Sequence, residues 1–174
     1  MMDYDRNPTS QPGTAGTVAA EREPLLRLGF TVSLNEEHVS VHVASRLAVV
    51  TLGERAHHYS LLELARLRLR DAERGLDHSS QGWIETGMLA HSLGLDITHL
   101  NIHIFRIRSQ LRQAAARLGM TVELVERRRC ELRFGDYSFT ILRGSRLEST
   151  FPNSTWDPHR MASPGISNQP GWSV

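Results

Sequence analysis

The sequence predicts an α+β fold: an N-terminal antiparallel sheet, three helices and a C-terminal β-hairpin, in that order. Three observations carry the prediction. Apolar residues alternate with period two from residue 30, recur with helical spacing from residue 59, and alternate again from residue 121. Glycines stand where each helical stretch must stop. Charge is also unevenly placed: residues 97–146 carry ten arginines against four acids, whereas residues 1–96 carry nine against thirteen. The near-neutral total of +1 therefore hides a strongly cationic third quarter.

The domain is expected over residues 28–146. Residues 1–27 are rich in Pro, Gly, Ser, Thr and charge, and are expected to be a disordered tail. Residues 147–174 contain Pro152, Pro158, Pro164 and Pro170 and are expected to behave likewise. Their spaced aromatics Phe151, Trp156 and Trp172 are read as incidental to a solvated tail rather than as a docking motif.

Phe30, Val32 and Leu34 alternate with Thr31 and Ser33, a turn falls at Asn35-Glu36-Glu37, Val39, Val41 and Val43 alternate with Ser40 and His42, and a third β-rich run spans 47–52. This pattern is a small antiparallel meander. Leu61, Leu62, Ala65, Leu69 and Ala72 then share one helical face, with Ser60 and Glu63 spaced as a capping box and Gly75 as the stop. Trp83 and Ile84 form a short extended link to a second helix over 85–93, ended by Gly94. Asp96 is the expected N-cap of a third helix running to about Leu118 before Gly119. The hairpin is expected from strands over 121–127 and 131–142, joined through Arg127-Arg128-Arg129-Cys130.

Composition excludes several kinds of chemistry. All twenty Lys-plus-Arg residues are arginine, so lysine Schiff bases and Walker-type phosphate loops, which need an amine, are ruled out. The single cysteine, Cys130, can close no disulfide within the chain and anchor no four-cysteine zinc site. As a nucleophile it would need a base and an oxyanion site, and a hairpin tip suggests neither. Nine histidines raise the question of metal. His99 and His103 lie at i and i+4, but Asp96 is better used as a cap, and His57-His58 is expected to pack at the start of the first helix. No metal, no cofactor and no enzymatic activity are expected. No apolar run reaches the roughly 20 residues of a membrane span and the acidic start is unlike a signal peptide, so a cytoplasmic location away from membranes is expected.

On the third helix, Ile97, Leu100, Ile104, Ile107, Leu111, Ala114 and Leu118 cluster on one face, as a packed helix requires. The opposite face and its flanks carry Thr98, His99, Asn101, Ile102, Phe105, Arg106, Arg108, Ser109 and Arg112. Long guanidinium donors, short hydroxyls and amides, and an apolar group able to meet a thymine methyl are the side-chain types that read a DNA groove. The triple-arginine tip suits a phosphate backbone or a minor groove.

The stretch Leu100-Asn101-Ile102-His103-Ile104-Phe105-Arg106-Ile107-Arg108-Ser109-Gln110-Leu111 resembles the recognition helix of OmpR-type response-regulator DNA-binding domains, V-D-V-H-I-x-R-L-R-x-x-L. The resemblance spans about residues 30–143 and implies a winged helix-turn-helix: N-terminal antiparallel sheet, three helices, hairpin wing. It implies that Ile102, His103, Arg106 and Arg108 contact DNA or support that contact, and that Arg127, Arg128 and Arg129 form the wing. The run from Leu52 through Gly-Glu-Arg-Ala-His-His-Tyr, with Gly82-Trp83-Ile84, is also similar to winged-helix regions that follow forkhead-associated domains in some bacterial proteins. The 27 residues ahead of the first strand are too few for a receiver domain, so phospho-relay control is not expected, nor is a phosphothreonine-binding domain. Phe105 departs from the pattern, standing where a basic residue is frequent. The expected function is a bacterial transcriptional regulator bound to double-stranded DNA. The alternative is an interaction module that uses Ile102 and Phe105 to bind a protein partner or to form a homodimer in a signalling or secretion-linked assembly.

Overall fold

The computed structural model describes residues 26–152, so the expected tails, including Trp156 and Trp172, lie almost wholly outside the described residues. The elements are β1 (Leu26–Val32), β2 (Val39–Ser45), β3 (Val49–Glu54), α1 (His58–Glu73), β4 (Ile84–Glu85), α2 (Thr86–Ser92), α3 (Ile97–Arg117), β5 (Val125–Arg128), β6 (Glu131–Phe134), β7 (Ser138–Arg143) and β8 (Arg146–Phe151). The fold is α+β, with three helices and two sheets among the described residues. No helix among the described residues is long and apolar enough to cross a membrane.

The first three strands form the expected antiparallel meander, with Leu26 opposite Ser45 and Val32 opposite Val39. Their inward residues Leu28, Phe30, Val32, Val39, Val41 and Val43 are buried. At the Gly29–His42 pair the strands admit no side chain on β1: a Cβ on Gly29 would stand 1.9 Å from the His42 ring.

The second half of the expected hairpin behaves differently. The alternating run 131–142 is broken at Gly135-Asp136-Tyr137, so that β6 stays with β5 while β7 leaves to pair parallel with β1, Phe30 opposite Ile141. Gly135 makes the break possible, because a Cβ there would fall 2.9 Å from the Glu123 carbonyl oxygen. The five-stranded sheet is thus ordered β3-β2-β1-β7-β8, and a three-stranded sheet is ordered β4-β6-β5. The domain also continues past its expected boundary at residue 146, because β8 completes the larger sheet. Phe151 is buried and stacks on Phe139 at 5.2 Å, which accounts for one of the aromatics assigned to the tail.

The helices cover the sheet with Leu61, Leu62, Leu64 and Ala65 of α1, and with Leu100, Ile104, Ile107, Leu111, Ala114 and Ala115 of α3. These meet Phe30, Phe134 and Phe139, whose rings lie at tilted or edge-on angles. Two details of the helices correct the sequence reading. Ser60 caps nothing: α1 begins earlier, at His58, and the Ser60 hydroxyl is bonded to His103 Nδ1 at 3.0 Å. Ile97, expected in the buried stripe, is 53 % exposed, since it starts the helix before α3 reaches its neighbours.

Candidate functional site

Two capped helices and one turn aim α3 outward. Glu85 accepts hydrogen bonds from the Gly87 and Met88 amides at the start of α2, and Asp96 accepts one from the His99 amide at the start of α3. Both carboxyls are held below the usual carboxylate range by those backbone donors. Between the helices, Gly94 takes a φ of 65° that a residue with a Cβ adopts poorly. The expected N-cap and turn are therefore where the sequence indicated.

Along the outward side of α3, Thr98, His99, Asn101, Ile102, Phe105, Arg106 and Arg112 are exposed, while His103 and Arg108 are half-buried. Four arginines and no acid occur in α3. Arg106 and Arg112 make no hydrogen bond or ion pair among the described residues. Arg108 is a strut instead: its Nη2 donates to the Val125 carbonyl at 2.7 Å, with Glu123 4.0 Å away, and burial lowers its pKa. His99 is bonded to its own capping residue, Asp96.

The β5–β6 hairpin stands beside this helix on the same side. Arg127 Nη2 donates to Asn101 Oδ1 at 2.7 Å, which joins hairpin and helix across an open groove of about 450 Å³. Asn101, Phe105, Arg108, Ser109, Arg112 and Arg127 line that groove. At the tip Arg128 pairs with Glu131 at 2.7 Å. Arg129, exposed, takes a φ of 43° and makes no bond among the described residues. The turn is tied to α2 through the Cys130 carbonyl, which accepts from the Thr86 amide and hydroxyl at 2.7 and 2.6 Å. The exposed Cys130 thiol takes no part in that tie.

Trp83, expected only as part of an extended link, joins the site. Its indole contacts two guanidinium groups, Arg128 at 4.1 Å and Arg133 at 4.6 Å, and its Nε1 donates to the Ser79 carbonyl. Arg133 is further held by Glu126 at 2.7 Å. This clamp fixes the hairpin against the chain that enters α2. The pairing of Trp83 with Ile84 as a link was visible in the sequence; its cation–π contacts depend on strand register and were not.

Behind the exposed face, His57 and His58 are buried and both contact Gln110 Oε1, at 3.0 and 2.9 Å, while Gln110 Nε2 donates to the Leu52 carbonyl. His57 and His103 are held below the usual histidine pKa, first by burial, and His103 next by the nearby Arg106 charge. Among the described residues no three His, Cys, Asp or Glu side chains converge where a metal ion could sit. The chain matches no protein-family profile, and no curated protein and no solved structure is significantly similar to it.

Proposed function

We propose that the chain is a winged helix-turn-helix protein that binds double-stranded DNA in the bacterial cytoplasm and regulates transcription. In this reading α3 enters the major groove and the β5–β6 hairpin is the wing, resting on the backbone or in the minor groove. The role is binding, not catalysis. The order of elements supports it: α1, a two-residue strand, α2, a four-residue turn, α3, then a hairpin that pairs back onto that strand.

The observation that carries the reading is the Arg127–Asn101 hydrogen bond, which makes one continuous cationic surface of helix and hairpin. Among the described residues no carboxylate neutralises Arg106, Arg112 or Arg129 on that surface, and unpaired cations are what a polyanion requires of its receptor. Arg106 supplies a guanidinium that can bond a base edge, Asn101 keeps its Nδ2 donor while Oδ1 holds Arg127, and Thr98 supplies a hydroxyl for base or phosphate. His103, locked to Ser60, positions the helix.

The test is a titration of fluorescent duplex DNA at two salt concentrations. If about four to six arginines meet phosphates, the log of the binding constant falls with log salt at a slope near −0.9 per contact. Absence of salt-sensitive binding overturns the reading. A second reading, a protein-interaction module, draws on the exposure of Phe105 at 72 % and Ile102 at 41 %. It would be favoured by a dimer in light scattering that Phe105→Glu abolishes, together with no DNA shift.

A further inference from the structure

We infer that Ile102 and Phe105 read the 5-methyl groups of two neighbouring thymines, so that the preferred duplex carries adjacent or next-neighbour A·T pairs at the centre of the site. This inference rests on the DNA reading above and gives it a base preference. Its starting point is an apolar pair in an unusual setting. Phe105 is 72 % and Ile102 41 % exposed, on a helix with four arginines and no acid. At about 100° per residue the two side chains stand about 60° apart on the surface of α3, with Arg106 on the Ile102 side and Arg112 on the Phe105 side. The hairpin residue that lines the groove, Arg127, is cationic as well.

A partner for such a surface must bring apolar groups embedded in negative charge. The DNA major groove does so in one place: thymine carries a methyl at C5, while the other three bases present only donors and acceptors there. Phosphates flank it on both sides, within reach of the flanking guanidinium groups. Spacing agrees with this. Residues three apart on a helix hold their Cβ atoms about 5–6 Å from each other, which spans between one and two base-pair steps of about 3.4 Å. Thr98 and Ser109, exposed and half-buried on the same face, are small enough to leave the methyls accessible to the larger pair.

The test uses the full chain and a duplex of about 20 base pairs with central adjacent thymines, compared with the same duplex carrying deoxyuridine at those positions. Loss of one contacted methyl is expected to weaken binding about four-fold, from about 0.8 kcal/mol per buried methyl-sized group and 1.4 kcal/mol per decade. Two methyls give about fifteen-fold. In Phe105→Ala the ratio between the two duplexes should shrink to about four-fold with the salt slope unchanged; the side chain is exposed, and an unaltered circular dichroism spectrum verifies the fold. Replacing a central cytosine by 5-methylcytosine, which puts a methyl at the same edge, should tighten binding. Salt-sensitive binding with equal affinity for thymine and deoxyuridine overturns this inference and leaves the DNA reading standing. Loss of all salt-sensitive binding removes both. A dimer in light scattering that Phe105→Ala dissolves assigns the face to a second copy of the chain and likewise overturns the inference.

Discussion

Arginines on the two sides of this domain have different fates. On the α1 side, Arg68 is fully buried: Nη1 donates to the Phe134 carbonyl at 2.7 Å and Nη2 reaches Asp136 at 3.2 Å. Arg66 and Arg143 share Glu36 and Glu148 in a four-membered network that joins the β1–β2 turn, α1, β7 and β8. On the α3–hairpin side, Arg128 and Arg133 hold Glu131 and Glu126, but Arg106, Arg112 and Arg129 meet no carboxylate among the described residues. Two non-glycine residues among the described ones take a left-handed φ, and they divide the same way. Glu36, at φ 59°, is held by Arg66, Arg143 and Tyr59, whereas Arg129, at φ 43°, has no bond among the described residues to offset its conformation. In a chain without lysine, the role of each arginine is set by where the fold puts carboxylates and backbone carbonyls.

The sharpest way to break this contrast is to remove one arginine from each side. Arg68→Ala deletes a buried side chain and leaves the Phe134 carbonyl without its donor. A loss of about 3 kcal/mol is expected, read as a drop in the urea midpoint. Arg106→Ala should leave that midpoint within about 0.5 kcal/mol of the parent and instead weaken DNA binding by about 1–3 kcal/mol. If the Arg106 variant lost stability comparable to the Arg68 variant, the α3 face would be a structural surface and the distinction would fail.

Legibility in the sequence follows the same division between local and long-range causes. The three helices, the Asp96 cap and the turn at Gly94 are set by neighbours within a few residues, and spacing alone indicated them. The partition of 131–142 into β6 and β7 was not visible, because alternation records which face a residue takes and not which strand it pairs with. β8 was hidden for a related reason: as an edge strand it reads Arg-Leu-Glu-Ser-Thr-Phe, and only Phe151 reaches the core. For the site, the residue types on α3 could be read directly. Their availability could not, since Arg108 is half-buried and meets the Val125 carbonyl and Glu123, whereas Arg106, two residues away, is exposed, and those partners lie far along the chain. The pairing of Ser60 with His103 crosses 43 residues and has no sequence signal.

The histidine cluster forms the seam between the two sides, so acid should loosen the domain there. His57 and His103, together with His42 inside the sheet, are all held below the usual histidine value by burial. The folded state therefore disfavours their protonated forms, while the unfolded chain takes up protons near pH 6.5. Stability is full above that pH and declines as pH falls from 6.5 through the lowered folded values. Thermal melts between pH 8 and pH 5 should record a falling Tm, and His103→Gln should flatten the fall. A Tm that rose on acidification over this range would contradict the assignment of the seam as a neutral cluster.

The smallest effect is expected from Glu148→Gln, and it tests whether the α1-side network is cooperative or merely redundant. The substitution removes the charge that Arg66 meets at 3.0 Å and Arg143 at 3.4 Å but leaves an amide oxygen there, and both guanidinium groups keep Glu36. With these side chains part-exposed, the loss should be about 0.2–1 kcal/mol and should shrink further in high salt. Such a value means that the network works as separate surface pairs, and that Arg68 alone sets the difference between the two sides. A loss approaching that of Arg68→Ala would instead mean that Glu148 anchors β8 and, through Phe151, the packing under the buried arginine. The contrast would then lie between a cooperative ionic lock on one side and independent, available charges on the other.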